Sequence, residues 1–373
     1  MDSTTPPPLV PQSPPPFMAP PPPPKKRPWG WIVFGIVFVL FVGLVVVGEA
    51  LAAFGRTFVA HESVRMTTSK LHEASIENPD SDEKVAVIDI DGIITSSAVT
   101  RHGRSMVESV KDELAMAEKD PEVKAVILRV DSPGGEVMAS DDIARAVRQF
   151  QARSDKPVIA SMSSVAASGG YYVSAPCRFI VASDLTITGS IGVIMQSLNY
   201  RGLMDKVGVV PQTYKSGRLK DMMSGSKKPE DADPLEKEIL MGMIMETYER
   251  FAKVVSDGRS ASYRANSEKS RKLAADWKDY ADGRILTGTK AFELGFVDEL
   301  GDFETAVAVA RRLARISTKA HLIRYQEPFS WDSVFSMFGQ SPVSERGVKV
   351  DLGLDLPKLR SGLPYYILST SVP

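Results

Sequence analysis

The chain has 373 residues, with 45 lysines and arginines against 46 aspartates and glutamates, 43% hydrophobic residues and one cysteine. A net charge of −1 excludes the strongly basic proteins that coat nucleic acids, so no nucleic-acid partner is expected. Because Cys177 has no second cysteine to pair with, the fold contains neither an internal disulfide nor a CxxC metal site.

The first segment of the chain is rich in proline. Residues 1–24 contain 12 of the 26 prolines, and the basic triplet Lys25-Lys26-Arg27 follows. Proline fixes φ and lacks an N–H, so residues 1–28 are predicted to form an extended, cytoplasmic arm. This arm is either a solvated tail or a ligand for a proline-binding module.

Residues 29–48 form an apolar run without a single charge. Twenty helical residues match a hydrocarbon core of roughly 30 Å, so this run is predicted to be a transmembrane helix. The basic triplet before it favours a single-pass protein of the cell (inner) membrane, with a cytoplasmic N-terminus and an extracytoplasmic, periplasmic remainder. The alternative is a signal peptide cleaved near Ala50–Ala53. Residues 49–81 are predicted to be a linker.

The region 82–325 has the pattern of a globular α/β domain. Short runs rich in β-branched residues predict strands at 85–90, 125–130, 158–162 and 179–182. Amphipathic helices are predicted between them, then at 234–257 and in a final pair within 288–315. This β-α-β order predicts a mainly parallel sheet covered by helices. Residues 326–373 are predicted to be an extended C-terminal tail.

Two loops that follow predicted strands carry candidate reactive groups, Asp131-Ser132-Pro133-Gly134-Gly135 and the run 163–170 around Ser168. Ligands bind beyond the carboxyl ends of strands in such sheets. None of the four histidines lies at a strand end, so a serine here would need another base, such as a neutral lysine. On residue chemistry alone, two tight glycine turns in a core explain these loops equally well.

Several motifs occur together in order: DSPGG at 131–135, SVAASGGYYVSAP at 164–176, TGSIGVI at 188–194, YKSGRLKDMMS at 214–224 and ADGRILTGTKAFELGFVDELGD at 281–302. Together they resemble peptidase family S49, and in particular its short, single-domain, membrane-anchored members that process signal peptides. The resemblance extends from about residue 85 to residue 301. It implies an α/β fold of the Clp-protease/crotonase type.

The resemblance also implies roles for individual residues. Ser168 would be the nucleophile and Lys220 its general base, with Lys215 as the rival base. Ser190 would hydrogen-bond the lysine and orient its lone pair, with an ordinary turn hydroxyl as the alternative. The N–H groups of Gly135 and Gly169 would form the oxyanion hole. No metal or other cofactor is implied.

The implied activity is that of a serine endopeptidase with a Ser/Lys dyad, acting on unstructured apolar peptides such as the remnants of cleaved signal peptides. Family members of this length form homo-oligomeric rings or domes, for example octamers, in which a neighbouring subunit supplies the lysine. Three alternatives remain: a crotonase-like acyl-CoA enzyme, a non-catalytic membrane scaffold of the same fold, and a relative of the stomatin-directed membrane proteases. Chains of that last group usually continue into further membrane spans, and none is predicted after residue 50.

Overall fold

The computed structural model describes residues 71–97, 104–266, 269–316, 319–327 and 364–367. All of these residues belong to one compact unit, Ser69–Pro373. The predicted arm at 1–28 and the predicted membrane helix at 29–48 lie outside the described residues. Among the helices within the described ranges, none combines the length and the apolar character needed to cross a membrane.

The described chain alternates strands and helices, as the β-α-β pattern predicts. The strands are His72–Glu77 (β1), Lys84–Asp91 (β2), Val123–Ser132 (β3), Gly134–Glu136 (β4), Val158–Ala167 (β5), Phe179–Ala182 (β6), Ile187–Gly189 (β7), Ile285–Thr287 (β8), Glu299–Leu300 (β9), His321–Gln326 (β10) and Tyr365–Ile367 (β11). The helices are Met106–Lys119 (α1), Val137–Ser154 (α2), Gly169–Ser174 (α3), Arg201–Lys206 (α4), Pro234–Asn266 (α5), Gly288–Glu293 (α6) and Phe303–Ala314 (α7). Two short 3₁₀ helices add Pro229–Asp231 and Trp277–Tyr280.

The main sheet has the strand order β1-β10-β2-β3-β5-β6-β9, with β7 paired to β5 and β8 paired to β7. Pairing is parallel along the sheet from β10 to β9, whereas β1 and β8 are joined antiparallel. The predicted α/β architecture with a mainly parallel sheet is therefore confirmed. β4 and β11 form a separate antiparallel pair.

Both faces of the central strands are buried, which explains why these strands are almost continuously apolar. Successive side chains of a strand point to opposite faces. One core contains Ile88, Leu128 and Ala160 against residues of α1 and α2, and the other contains Ile127 and Ile159 against residues of α7. Each helix thus covers one set of alternating strand residues.

One predicted boundary differs from the structure. His72–Glu77, inside the predicted linker 49–81, forms the edge strand β1 on β10, so the sheet begins before the predicted boundary at residue 82. β1 is mostly exposed and lacks apolar alternation, so backbone pairing rather than burial holds it. Within the predicted tail 326–373, Tyr365–Ile367 pairs with β4.

Candidate active site

The two candidate loops lie at the same edge of the sheet. β3 and β5 are parallel neighbours, and Ser132 at the end of β3 is paired with Ala166 at the end of β5. The register of the strands therefore places the two loops side by side.

Ser168 occupies a sharp turn between a strand and a helix. It follows the last residue of β5 and precedes Gly169, the first residue of α3, with φ 53° and ψ −114°. A non-glycine residue with positive φ is uncommon, and such strain costs on the order of 1–3 kcal/mol. Strained residues of this kind concentrate at functional sites, so the turn itself marks Ser168 as a candidate.

The backbone of Ser168 is fixed while its side chain is uncommitted. Its N–H donates to the carbonyl oxygen of Gly189 at 2.8 Å, and its carbonyl oxygen accepts from the N–H of Tyr172 at 2.8 Å. The residue is 1% exposed, yet its Oγ has no hydrogen-bond partner among the described residues. A buried hydroxyl without a partner is costly, which is consistent with a group kept available for chemistry.

The glycine strand β4 lies directly beside this turn. The N–H of Ile94 donates to the carbonyl of Gly134 at 2.9 Å, and the N–H of Glu136 donates to the carbonyl of Ile94 at 2.8 Å. Because backbone groups alternate in direction along a strand, the N–H of Gly135 faces the opposite side, toward its β11 partner Tyr366. The N–H of Gly135, the predicted oxyanion donor, thus points toward the backbone of the extended strand β11.

Both glycines at this point are required by close backbone approach. Gly134 has φ +102°, and a Cβ added there would lie 1.9 Å from the carbonyl oxygen of Tyr366 and 2.6 Å from the nitrogen of Gly169. A Cβ on Gly169 would lie 2.9 Å from the same Tyr366 oxygen. The Tyr366 carbonyl therefore lies against Gly134 and Gly169, next to the candidate nucleophile.

β11 lies in a cleft with backbone partners on both sides. One side is β4, and the other is Ile194, which exchanges two backbone hydrogen bonds with Tyr365 at 3.0 and 3.2 Å. β11 therefore lies between two backbone edges, β4 and Ile194, in the way that an extended peptide binds to a protein as an added strand.

Lys220 is not brought to Ser168 within the chain. Lys220 is exposed, its side chain makes no ion pair or hydrogen bond with the part of the chain that the structure describes, and the Ser168 hydroxyl has no such partner either. Residues 216–227 around it form turns and bends, of which 221–227 are partly buried. The two predicted dyad members are therefore separate in a single subunit.

The rival base, Lys215, is held in a local ion-pair network. Its Nζ lies 2.8 Å from each carboxylate oxygen of Asp221 and donates to the carbonyl oxygen of Arg218 at 2.9 Å. Hydrogen bonds from Lys215 and then from Lys227 hold the pKa of Asp221 below its usual value. Use of Lys215 as a base would first require this pairing to break.

Ser190 lies one residue beyond Gly189 and is also buried with positive φ, at 50°. Its N–H donates to the carbonyl of Arg284 at 2.8 Å, whereas its hydroxyl makes no hydrogen bond to a described residue. The structure thus brings Ser190 close to the Ser168 turn through Gly189, without a lysine for it to orient.

Two residues of this site were not identified from the sequence. Gly134 is one of two glycines in the DSPGG motif, and the sequence does not indicate which of them has positive φ. Tyr366 was noted only in the short apolar piece at 364–368 of the tail. The short apolar piece at 364–368, which contains a tyrosine pair, was the available signal for a docked segment.

A family model and several curated relatives indicate one family. The model of peptidase family S49 matches residues 151–317. A candidate signal peptide peptidase SppA of Enterococcus faecium is 35% identical over 69% of this chain and 72% of its own length. Protease 4 of Salmonella typhi is 36% identical over 72% of this chain, which spans 41% of that longer protein. A solved structure of a membrane-bound stomatin-specific protease with a substrate peptide aligns at 17% identity with a TM-score of 0.40, over 69% of this chain and 97% of that one.

Proposed function

The chain belongs to peptidase family S49, a family of serine endopeptidases, and we propose that Ser168 is its nucleophile and Lys220 its general base. The observation that carries this proposal is the Ser168 turn, in which a strained, buried serine has a fixed backbone and a hydroxyl without a hydrogen-bond partner among the described residues. A neutral lysine can accept the serine proton where no histidine is available.

The chemistry follows from the groups around this turn. Lys220 takes the proton of Ser168 as Oγ attacks the peptide carbonyl carbon, and the N–H groups of Gly135 and Gly169 stabilise the tetrahedral oxyanion. Protonated Lys220 then donates to the leaving amine. Water attacks the acyl-enzyme with Lys220 again as base, which releases the second product and restores the serine. Each oxyanion donor contributes roughly 100- to 1000-fold in rate.

Lys220 is favoured over Lys215 because its ammonium group is not engaged by a carboxylate among the described residues, whereas Lys215 is bound to Asp221. Ser190 is the group proposed to orient the lysine once it enters the site. Ser190 is buried beside Gly189, so its hydroxyl is placed to hydrogen-bond a lysine that enters from another subunit.

The lysine is proposed to come from a neighbouring subunit of a homo-oligomer. The segment that carries Lys220 exposes large apolar side chains, with Leu198 85% exposed, Val210 71% and Tyr214 92%. Clustered apolar exposure is typical of surfaces that contact another protein. A ring or dome, such as an octamer, would cover these side chains and deliver each lysine to the next subunit.

The proposed substrates are extended, apolar peptides, including the remnants of cleaved signal peptides. The cleft that holds β11 accepts one strand and pairs with its backbone on both sides, so a folded protein would not fit it. Residues 29–48 are proposed to anchor the chain in the inner membrane, with residues 1–28 in the cytoplasm and the peptidase unit in the periplasm.

A mixing experiment tests both the dyad and its shared character. Purified full-length chain should hydrolyse an unstructured apolar peptide, and Ser168→Ala and Lys220→Ala should each reduce this to background. Lys215→Ala should retain activity and serves as the matched control. Co-assembled Ser168→Ala and Lys220→Ala chains should regain part of the activity. An active Ser168→Ala variant would refute the nucleophile, and verified mixed oligomers without rescue would refute the sharing of the dyad.

A further inference from the structure

The carboxylate of Glu136 connects β4 to the segment that follows β2. Its Oε1 accepts a hydrogen bond from the hydroxyl of Thr95 at 3.0 Å. Its Oε2 accepts from the N–H of Ser96 at 3.0 Å and from the hydroxyl of Ser96 at 2.5 Å. Glu136 is only 9% exposed, so these bonds replace most of the water that a carboxylate would otherwise bind. Thr95 and Ser96 are therefore fixed on the end of β4.

The segment fixed in this way lies directly against Gly135. Ile94, the residue before Thr95, is paired in parallel with Gly135. Its N–H donates to the carbonyl of Gly134 at 2.9 Å, and its carbonyl accepts from the N–H of Glu136 at 2.8 Å. A Cβ added to Gly135 would lie 1.9 Å from the same Ile94 oxygen, so the two backbones are in close contact. The position of Ile94 therefore determines the direction of the Gly135 N–H.

Glu136 is also connected to the second proposed oxyanion donor. Its carbonyl oxygen accepts a hydrogen bond from the hydroxyl of Ser140 at 2.9 Å, and Ser140 is completely buried. The same hydroxyl oxygen would lie 2.7 Å from a Cβ added to Gly169, so Ser140 packs between the start of α2 and the start of α3. The contacts of Glu136 thus support both Gly135 and Gly169.

We propose that Glu136 is a positioning residue of the oxyanion hole, because its carboxylate, through Thr95 and Ser96, holds the Gly135 N–H where the tetrahedral oxyanion forms. This inference rests on the proposed function, which takes Gly135 as an oxyanion donor. Such donors act because they are in place before the reaction, and a displacement of about 1 Å can cost on the order of 100-fold in rate. Loss of the Glu136 carboxylate should therefore weaken binding of the transition state more than binding of the substrate.

Two substitutions in the full-length chain separate the position of this group from its charge. Glu136→Ala removes all three side-chain hydrogen bonds, and kcat for an unstructured apolar peptide should fall roughly 10- to 100-fold while KM changes less than about 3-fold. In Glu136→Gln, the amide oxygen can accept both bonds from Ser96 and the amide nitrogen can donate to the Thr95 hydroxyl. This variant should keep kcat within about 3-fold of wild type.

Glu108 provides a matched control outside the site. Its carboxylate also accepts hydrogen bonds from the N–H and the hydroxyl of one serine, Ser105, at 2.9 and 3.0 Å. Glu108→Ala should therefore lower stability without changing kcat. Ser96→Ala is the milder test if Glu136→Ala does not fold. It removes one of the bonds to Glu136, and kcat should fall roughly 2- to 10-fold.

A pair of inhibitors measures the oxyanion hole separately from stability. A peptide aldehyde binds covalently when Ser168 Oγ adds to its carbonyl carbon, and the former carbonyl oxygen, which finally carries the serine proton, enters the oxyanion hole. The corresponding peptide alcohol has no carbonyl and binds without this step. Glu136→Ala should weaken aldehyde binding by the same factor as kcat and leave alcohol binding unchanged, whereas Glu108→Ala should change neither.

Failure of this inference is distinguishable from failure of the proposed function. Equal loss of aldehyde and alcohol binding in Glu136→Ala would overturn the positioning role. An unchanged kcat in folded Glu136→Ala, or in Ser96→Ala where the first variant does not fold, would also overturn it, provided that hydrolysis still depends on Ser168. Hydrolysis that persists in Ser168→Ala would instead refute the proposed function, and the positioning role with it.

Discussion

The N–H of Ser168 donates a 2.8 Å hydrogen bond to the carbonyl oxygen of Gly189. This bond joins two sequence motifs, because Ala167 and Gly189 are paired on the parallel strands β5 and β7. It fixes the turn in which Ser168 has positive φ and brings the neighbouring Ser190 to the same edge. The Ser168 turn is therefore held by the sheet and does not depend on a side-chain partner for Ser168.

Replacement of Ser168 by glycine should stabilise the protein relative to replacement by alanine. Both variants lack the hydroxyl and should be inactive, but only glycine tolerates φ 53° and ψ −114° without strain. After subtraction of the greater unfolded-state entropy of glycine, a gain of about 1 kcal/mol is expected. Urea unfolding of the two variants measures the difference. An alanine variant as stable as the glycine variant would mean that the turn is not strained.

Gly134→Ala should abolish peptide hydrolysis and also destabilise the fold, because the added Cβ overlaps backbone atoms. Its Cβ would lie 1.9 Å from the Tyr366 carbonyl and 2.6 Å from the Gly169 nitrogen, so β4 and the start of α3 must separate. Displacement of the proposed oxyanion donors, Gly135 and Gly169, should lower kcat/KM by roughly 100-fold or more. Gly92→Ala is the matched control, since Gly92 also has positive φ but no atom within 4 Å of an added Cβ. Equal activity losses in both variants would assign the effect to backbone strain alone.

The architecture was predictable because its signals are local. β-Branched runs such as 85–90 and 158–162 are buried on both faces, and amphipathic stretches such as 137–153 cover them, so their types and order follow from burial alone. β1 was missed for the opposite reason. Its residues are mostly exposed, and an edge strand held by backbone pairing leaves little trace in the hydrophobic pattern.

Removal of Arg259 should be strongly destabilising. Arg259 is ion-paired with Asp298, and both side chains are fully buried. Arg259→Met would leave the Asp298 carboxylate buried without its cation, which typically costs about 3–5 kcal/mol. The exposed pair Lys253 and Asp257 provides the control, since Lys253→Met should cost less than about 1 kcal/mol. Urea unfolding curves give both values, and similar losses at the two sites would contradict the account.

Glu113 should make the protein less stable as pH rises. Burial, followed by the nearby charge of Asp89, raises the pKa of Glu113 from 4.5 to about 8. Between these values the unfolded chain has released this proton and the folded chain still holds it, so folding becomes less favourable with increasing pH. At pH 7 the loss relative to pH 4 is on the order of 3 kcal/mol.

Glu113→Gln should remove that loss. The melting temperatures of wild type and variant should be similar near pH 4 and should diverge in favour of the variant up to about pH 8. Glu238→Gln, an exposed carboxylate on α5, controls for the general effect of one charge. Parallel curves for wild type and Glu113→Gln over this range would show that Glu113 does not titrate as described.

The site could be predicted only in part from the sequence. Ser168 and the glycines of DSPGG stand out because strand ends and tight turns have recognisable residues, and β3 and β5 bring them together. The base could not be derived in the same way, because no lysine contacts Ser168 among the described residues, and a base distant in sequence leaves no local pattern around the serine. The docking of Tyr366 into the cleft also depends on contacts distant in sequence, with Thr247, Phe251 and Tyr172.

Covalent labelling tests the central claim most directly. A serine-reactive fluorophosphonate should form one adduct per chain on the full-length protein, and peptide mapping by mass spectrometry should place it on Ser168. The same treatment should give no adduct with Ser168→Ala and a much slower reaction with Lys220→Ala, because the lysine activates the hydroxyl. Peptide hydrolysis that persists while Ser168 stays unlabelled, or an adduct on a different serine that abolishes activity, would contradict the account.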